Sequence, residues 1–455
     1  MFDSNCWKKY SSSDEKKVMK FAEGYKKFLS NGKTERMVTK EAIKLLDERG
    51  FKNIELVESV KPGDKVYFIN KNKNVCVFVI GRQNIENGLR ILGAHIDSPR
   101  MDFKEKPFYS RGGFAYADTH YYGGIKKYQW VTIPLALHGV VCKKDGSTVE
   151  VHIGDDDKDP VFGISDLLIH LSADQLTKTA NKVIEGENLD LILGNKPIYE
   201  KDEGFLKKNV LNILKDKYDI EEEDFISAEI EVVPAGKARD FGIDRSMIAG
   251  YGHDDRCCAY PSLMAVLDVE DPEYTSCCIL VDKEEVGSIG ATGAQSTFFE
   301  NTIARLLALN GNKNPLWNAK VALENSRMLS SDVSAGYDPL FSSAFESNNT
   351  PYLSYGIVFN KYTGSRGKSG CNDANPEYIA WIRKILDDDK VNWQTGELGR
   401  VDQGGGGTIA YILGNYNMNV IDAGIPVLNM HAPMEVISKA DLYEAYRAYY
   451  LFLTK

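Results

Sequence analysis

Apolar and polar positions alternate along this chain on two different periods. Near the N-terminus the apolar residues recur every three or four places. Val18, Phe21, Tyr25 and Phe28 share one side of a helix that Ser13-Asp14-Glu15 can cap. A second helix runs from about Thr39 through Leu46, and Gly50 ends it. Short apolar runs follow at 65–70, 75–80 and 89–96, the first two joined by the turn Asn70-Lys71-Asn72-Lys73. Residues 104–243 differ in texture. They carry aromatic and glycine-rich patches, then alternating segments at 130–141 and 148–153, with few helical stretches and a short apolar exception at 166–171. Mixed periods resume near Gly242. A helix is predicted over 257–267 and a buried strand at 277–281. Segments 306–310 and 320–324 read as strands or strand-adjacent turns. Strand 355–359, helix 376–386, strand 391–394 and an amphipathic helix over 439–453 complete the chain. The pattern predicts an α/β domain in two parts, 1–103 and 244–455, interrupted by an inserted, mainly β domain at 104–243.

Composition narrows the classes. A chain of 455 residues exceeds one compact core, and 43% apolar with 26% charged residues excludes a disordered polymer. No apolar run approaches the roughly 20 residues that span a bilayer. Met1 to Tyr10 lacks the apolar centre of a signal peptide, so a cytoplasmic protein with no membrane partner is expected. A net charge of −10 gives no general attraction to nucleic acid. The eight cysteines include the adjacent pairs Cys257-Cys258 and Cys277-Cys278 inside apolar segments, and no CxxC occurs. Reduced, buried thiols are expected, and a thiolate zinc site is not.

The candidate chemistry is acidic. Glu284 and Glu285 follow the apolar run 277–281, at the strand end where open α/β sheets bind ligands. Adjacent carboxylates repel unless a cation holds them. A metal ion lets one bind and the other handle protons. Alone, the pair also fits a solvated helix start. His95 and Asp97 stand two apart at the end of the third strand, where the carboxylate can hold the second ring nitrogen and fix the tautomer. A strand-end histidine simply bonded to a nearby Asp is the alternative. Asp254 opens the helix after Gly252, Asp332 lies in a loop after an apolar patch, and His431 follows the run 420–427. The glycine loop 404–407 lacks the lysine of a phosphate-binding loop but allows close backbone approach to a substrate or metal. The acidic run 155–159 reads as an exposed loop. His95, Asp254, Glu284-Glu285, Asp332 and His431 thus share one property: each lies at a predicted strand end or in the loop after it. Oxygen and imidazole donors without thiolate suit two hydrolytic divalent ions, zinc first, with cobalt or manganese accepted by the same donors.

His95-Ile96-Asp97-Ser98-Pro99, Asp254-Asp255, Glu284-Glu285-Val286-Gly287-Ser288, the Asp332 loop and Gly424-Ile425-Pro426 through His431 resemble the metal motifs of the aspartyl aminopeptidase family in order and spacing. The resemblance covers nearly the whole chain. It implies a mixed-sheet zinc-exopeptidase (phosphorylase/hydrolase-like) domain whose insertion dimerises and lids a neighbour's site. Asp254 would bridge two ions, His95 and Asp332 completing one site and Glu285 and His431 the other. Glu284 would be the general base and Asp97 would orient His95. The family's dimer-based dodecamers imply self-assembly, and a histidine of the insertion that reaches an adjoining site is matched best by His170. A core histidine is the other reading of His170. Lys361, Arg366 and Lys368 are candidate cationic contacts to substrate, and Gly406 a backbone contact. Lys361, Arg366 and Lys368 equally fit a solvated loop. The chain departs from the family after Asp332: Ala335 and Asp338 stand where histidines are expected, which puts the acidic N-terminal preference in question. The expected reaction is hydrolysis of the first peptide bond of a short peptide. A dizinc deacylase or carboxypeptidase on the same scaffold, or a non-catalytic self-assembling shell, are the alternatives.

Overall fold

The strand Thr275–Val281 is buried at every position, and its two faces reach two separate cores. Cys277, Ile279 and Val281 pack with Phe298, Phe299 and Ile303, while Cys278 and Leu280 pack with Tyr25, Phe28 and Leu263. A strand covered on both sides needs a continuous apolar run rather than an alternating one. The same geometry sends the two adjacent cysteine side chains into different cores, and all eight cysteines are free thiols.

This chain is described by a computed structural model over residues 4–198 and 205–455; Met1 to Asp3, the start of the stretch read for a signal peptide, lie outside the described residues. Thr275–Val281 pairs parallel with Leu89–His95, which pairs parallel with Arg327–Ser330, which pairs parallel with Asn419–Gly424. Antiparallel neighbours flank these four: Asn74–Val79 on one side and Ile357–Asn360 on the other. Among the described residues the sheet has nine strands. Helices Ser12–Asn31, Glu35–Glu48, His253–Leu267, Pro376–Asp388 and Lys439–Thr454 cover one face, and Phe298–Leu309, Pro315–Glu324 and Ala410–Gly414 cover the other. A second sheet of five short strands joins Arg239–Phe241, Met247–Gly250, Glu435–Ser438, Pro426–Leu428 and Ser334–Ala335.

Three expectations are corrected. Segments 306–310 and 320–324, expected as strands, belong to the helices Phe298–Leu309 and Pro315–Glu324. Phe299, Ile303, Leu306 and Leu307 are buried at three-to-four-residue spacing, a period that a five-residue window hides. The first long helix starts at Ser12, not after Ser13. Ser11 is its N-cap, and Asp14 reaches back to the Ser11 N–H in a capping box, an arrangement that contributes about 1 kcal/mol.

The chain divides into two compact units. One comprises the described residues through Asp97 with Ala238–Met430 and Glu435–Lys455; the other comprises Ser98–Lys237 with His431–Met434. The second unit is built on a six-stranded antiparallel sheet in the order Thr148–Ile153, Leu135–Cys142, Ala228–Pro234, Arg100–Arg111, Phe114–Tyr122, Leu191–Gly194. It also carries the helix Phe205–Tyr218, whose Leu206, Val210, Ile213 and Leu214 recur at helical spacing. Among the described residues no helix is long and apolar enough to cross a membrane.

Candidate metal centre

The parallel strands of the nine-stranded sheet end on one edge, and the acids gather there. His95 closes Leu89–His95 opposite Val281. Glu284 and Glu285 follow Val281 in a single 3-10 turn. Ser330 pairs with Gly93 one strand over, and Asp332 lies two residues beyond it. Sheet register alone therefore brings three loops to one rim. Asp254 comes from another direction, in the first turn of His253–Leu267.

His95 is buried, and its two nitrogens face different partners. Nδ1 lies 3.1 Å from the Asp97 carbonyl oxygen and 3.2 Å from Asp97 Oδ1. Both are acceptors, so Nδ1 carries a proton. Nε2 lies 3.0 Å from Asp254 Oδ1 and 4.0 Å from Asp332 Oδ1. His95, Asp254 and Asp332 offer donor atoms within 4.8 Å of one another, and so do His95, Glu284 and Glu285. Two donor groups thus overlap at one imidazole.

Asp97 holds both groups in register. Besides His95, its Oδ1 accepts from the Glu284 N–H and its Oδ2 from the Glu285 N–H, each at 3.2 Å. Asp254 is fixed through its own backbone: its N–H donates to Glu435 Oε2 at 3.1 Å. The preceding residue, His253, is buried between the Tyr25 hydroxyl, 2.7 Å from Nδ1, and the Ile248 carbonyl, 3.2 Å from Nε2. Burial drives the His253 pKa down to about 3, so a neutral ring bridges two helices and a strand.

The electrostatics fit a cation. Burial opposes a charge on His95, but its bonds to Asp254 and Asp97 outweigh burial and raise its pKa well above the usual value. Burial raises Asp332 strongly; His95 offsets part of this, and Glu284 and Asp254 add repulsion. Crowded, buried carboxylates around one imidazole with no thiolate form a donor set for a divalent ion, whose charge relieves their repulsion.

His431 occupies the turn before Glu435–Ser438, at φ +66°. Its Nδ1–H donates to the Gly124 carbonyl at 2.7 Å, which leaves Nε2 as the lone-pair nitrogen. His170 is exposed on the turn Ile169–Leu171 of the second unit. Lys361 is exposed, 3.8 Å from Asp373 Oδ1, and Lys368 pairs with the same carboxylate at 3.0 Å. Gly406 donates its N–H to the Thr363 carbonyl. Asp338 accepts from the Leu340 N–H as the cap of its own turn. Sequence reasoning missed Glu435 and His253 as supports of Asp254. His253 immediately precedes Asp254-Asp255 and Glu435 follows His431 by four residues, and the available signal for Glu435 was an acid opening the short apolar run 436–437.

The family model described as Aminopeptidase I zinc metalloprotease (M18) matches residues 28–453. A Clostridium acetobutylicum protein named a probable M18 family aminopeptidase 1 is 57% identical over 454 residues, 99% of this chain and 97% of its own length. The crystal structure of an M18 family aminopeptidase from Thermotoga maritima matches with a TM-score of 0.96 at 44% identity, covering 99% of each chain. The S. cerevisiae mApe1 dodecamer shares the fold, with a TM-score of 0.77 at 21% identity over 95% of each chain.

Proposed function

The chain belongs to the aminopeptidase I (M18) family of zinc metalloproteases and is a metal-dependent aminopeptidase, and on that premise we propose that it removes the N-terminal residue of short peptides with water activated between two ions. The observation that carries this reading is the pair of donor groups overlapping at His95. His95 and Asp332 would hold one zinc and Glu285 and His431 a second, with Asp254 shared between the two sites. His431 lies four residues before Glu435, whose carboxylate accepts from the Asp254 N–H. That short tether supports its place beside Asp254. Bound zinc polarises a scissile carbonyl and lowers the pKa of water.

The chain's own groups do the rest. Asp97 fixes the His95 tautomer and, through two backbone amides, the position of the Glu284–Glu285 turn. Glu284 is half-buried and receives the proton from the attacking water, then delivers it to the leaving amine. A free N-terminal amine is required, which separates this reaction from deacylation and carboxypeptidase action. Lys361, exposed near Asp373, supplies the cation for an acidic N-terminal side chain. His170 serves an adjoining site in a dimer-based dodecamer and Gly406 offers its backbone to the substrate; the fold shared with a dodecameric yeast protein supports the assembly.

The test is Glu284→Gln with metal analysis. The variant should keep its zinc and lose about 10²–10⁴-fold in turnover. Near-normal turnover with zinc retained would remove Glu284 from the base role.

A further inference from the structure

The second unit contains an apolar cavity that this reaction does not use. It lies between the six-stranded sheet and the helix Phe205–Tyr218 and has a volume of about 260 Å³. Phe103, Phe108 and Phe225 form one wall, with Phe108 and Phe225 edge-to-face at 4.6 Å between centroids. Phe103 and Phe108 are five residues apart, a spacing that sends regular strand side chains to opposite faces. The pairing register shifts between them, and this irregularity lets both rings face the cavity.

Ile230 pairs with Gly139, and Gly139 pairs with Val151, across three adjacent strands. Ile230 and Val151 line the cavity, and Gly139 between them lies close against the neighbouring main chain, where a Cβ would stand 1.9 Å from the Glu229 carbonyl oxygen. Val210, Ile213 and Leu214 of the helix line it from the other side, and Lys217 stands one turn further along. Apolar cavities do not hold water well, and one of about 150 Å³ takes a benzene-sized ligand. A cavity of about 260 Å³ accepts a tail of roughly eight to ten carbons on the same scale.

The charge at the edge selects the head group. Lys217 is exposed, its ammonium 5.1 Å from the Tyr218 ring. Asp219 pairs with Lys143 and Lys215, Glu222 with Lys207, and Glu223 with Lys144. Among the described residues no carboxylate forms an ion pair with Lys217. We propose that this cavity binds a medium-chain fatty carboxylate, its tail under the helix and its carboxylate at Lys217.

Calorimetric titration of the full, zinc-loaded chain with octanoate and with 1-octanol tests this. Octanoate should bind saturably. Lys217→Glu, a surface change, should weaken octanoate at least tenfold and leave 1-octanol unaffected. Ile230→Trp fills the cavity and should abolish binding of both, with release of N-terminal residues unchanged. The proposal fails if the native chain shows no saturable octanoate binding, if Lys217→Glu binds octanoate as the native chain does, or if a folded Ile230→Trp still binds it. Should Ile230→Trp not fold, the Lys217→Glu comparison decides alone.

Discussion

Gly424 lies directly against the main chain of Asp332: a Cβ on Gly424 would stand 1.7 Å from the Asp332 carbonyl oxygen. The end of one parallel strand thereby seats the loop of a candidate ligand from its neighbour. Gly424→Ala must push that loop outward, because the obstructing atom is backbone. Overpacking of this kind costs about 1–3 kcal/mol. We expect a lowered Tm, weaker zinc retention and at least a tenfold loss of kcat/KM. Unchanged zinc affinity in the variant would mean that the Asp332 loop is not held by this contact.

Asp97 accepts from two consecutive amides and also faces His95 Nδ1. Asn in its place has one acceptor oxygen and an NH2 group that must face a donor. Supports of this kind are worth about 10–100-fold in metal affinity. Asp97→Asn should show that loss in a zinc titration, and excess zinc should restore part of the turnover. A variant that binds zinc normally yet stays inactive would assign Asp97 a role other than positioning.

The proposed role of Lys361 as the cation that meets an acidic N-terminal side chain is open to direct measurement. Against a panel of aminoacyl-arylamides, Lys361→Ala should lose at least tenfold in kcat/KM on acidic residues while apolar ones change less than twofold. N-acetylated versions should not be cleaved by either enzyme. Equal losses across the panel would locate selectivity elsewhere.

Asp441, a buried acid outside the donor set, ties stability to pH. It is buried at the start of Lys439–Thr454, and its Oδ2 and Oδ1 accept from the Ser354 and Gly356 N–H groups at 2.7 Å each. Burial, against the pull of those amides, pushes its pKa from 3.8 up to about 8. The folded chain therefore holds this proton over a range where the unfolded chain has lost it. Its contribution is complete below about pH 4 and is lost as pH rises toward 8, with a slope of up to about 1.4 kcal/mol per pH unit. Urea midpoints of the native chain and Asp441→Asn from pH 5 to 8 check the sign: the native midpoint should fall relative to the variant as pH rises. Parallel curves would contradict it.

Much of the site was legible in the sequence because the sheet is simple at its centre. Runs such as 277–281 and 89–96 announce strands buried on both faces, and the polar residue after each must lie at the rim. The order His95, Asp254, Glu284-Glu285, Asp332, His431 then carries the family. Other parts depend on tertiary contacts. The double hold of Asp97 on the Glu284–Glu285 turn needs two parallel strands in register, which no local pattern states. Glu435 supports Asp254 because Glu435 pairs with Gly250 in the small sheet, across 185 positions of sequence. The helices at 298–309 and 315–324 show their helical period only over two turns or more, so five-residue stretches of them look like strands.

The burial of the cysteines has a practical consequence. Cys277 and Cys278 back onto different cores, and Cys6, Cys76, Cys257 and Cys258 are equally enclosed, which leaves Cys142 exposed and Cys371 partly so. A thiol-directed dye added to the native protein should therefore attach at Cys142 first and Cys371 more slowly. Denaturation should open all eight sulfurs to the reagent, so the number of labels taken up per molecule reads out unfolding directly.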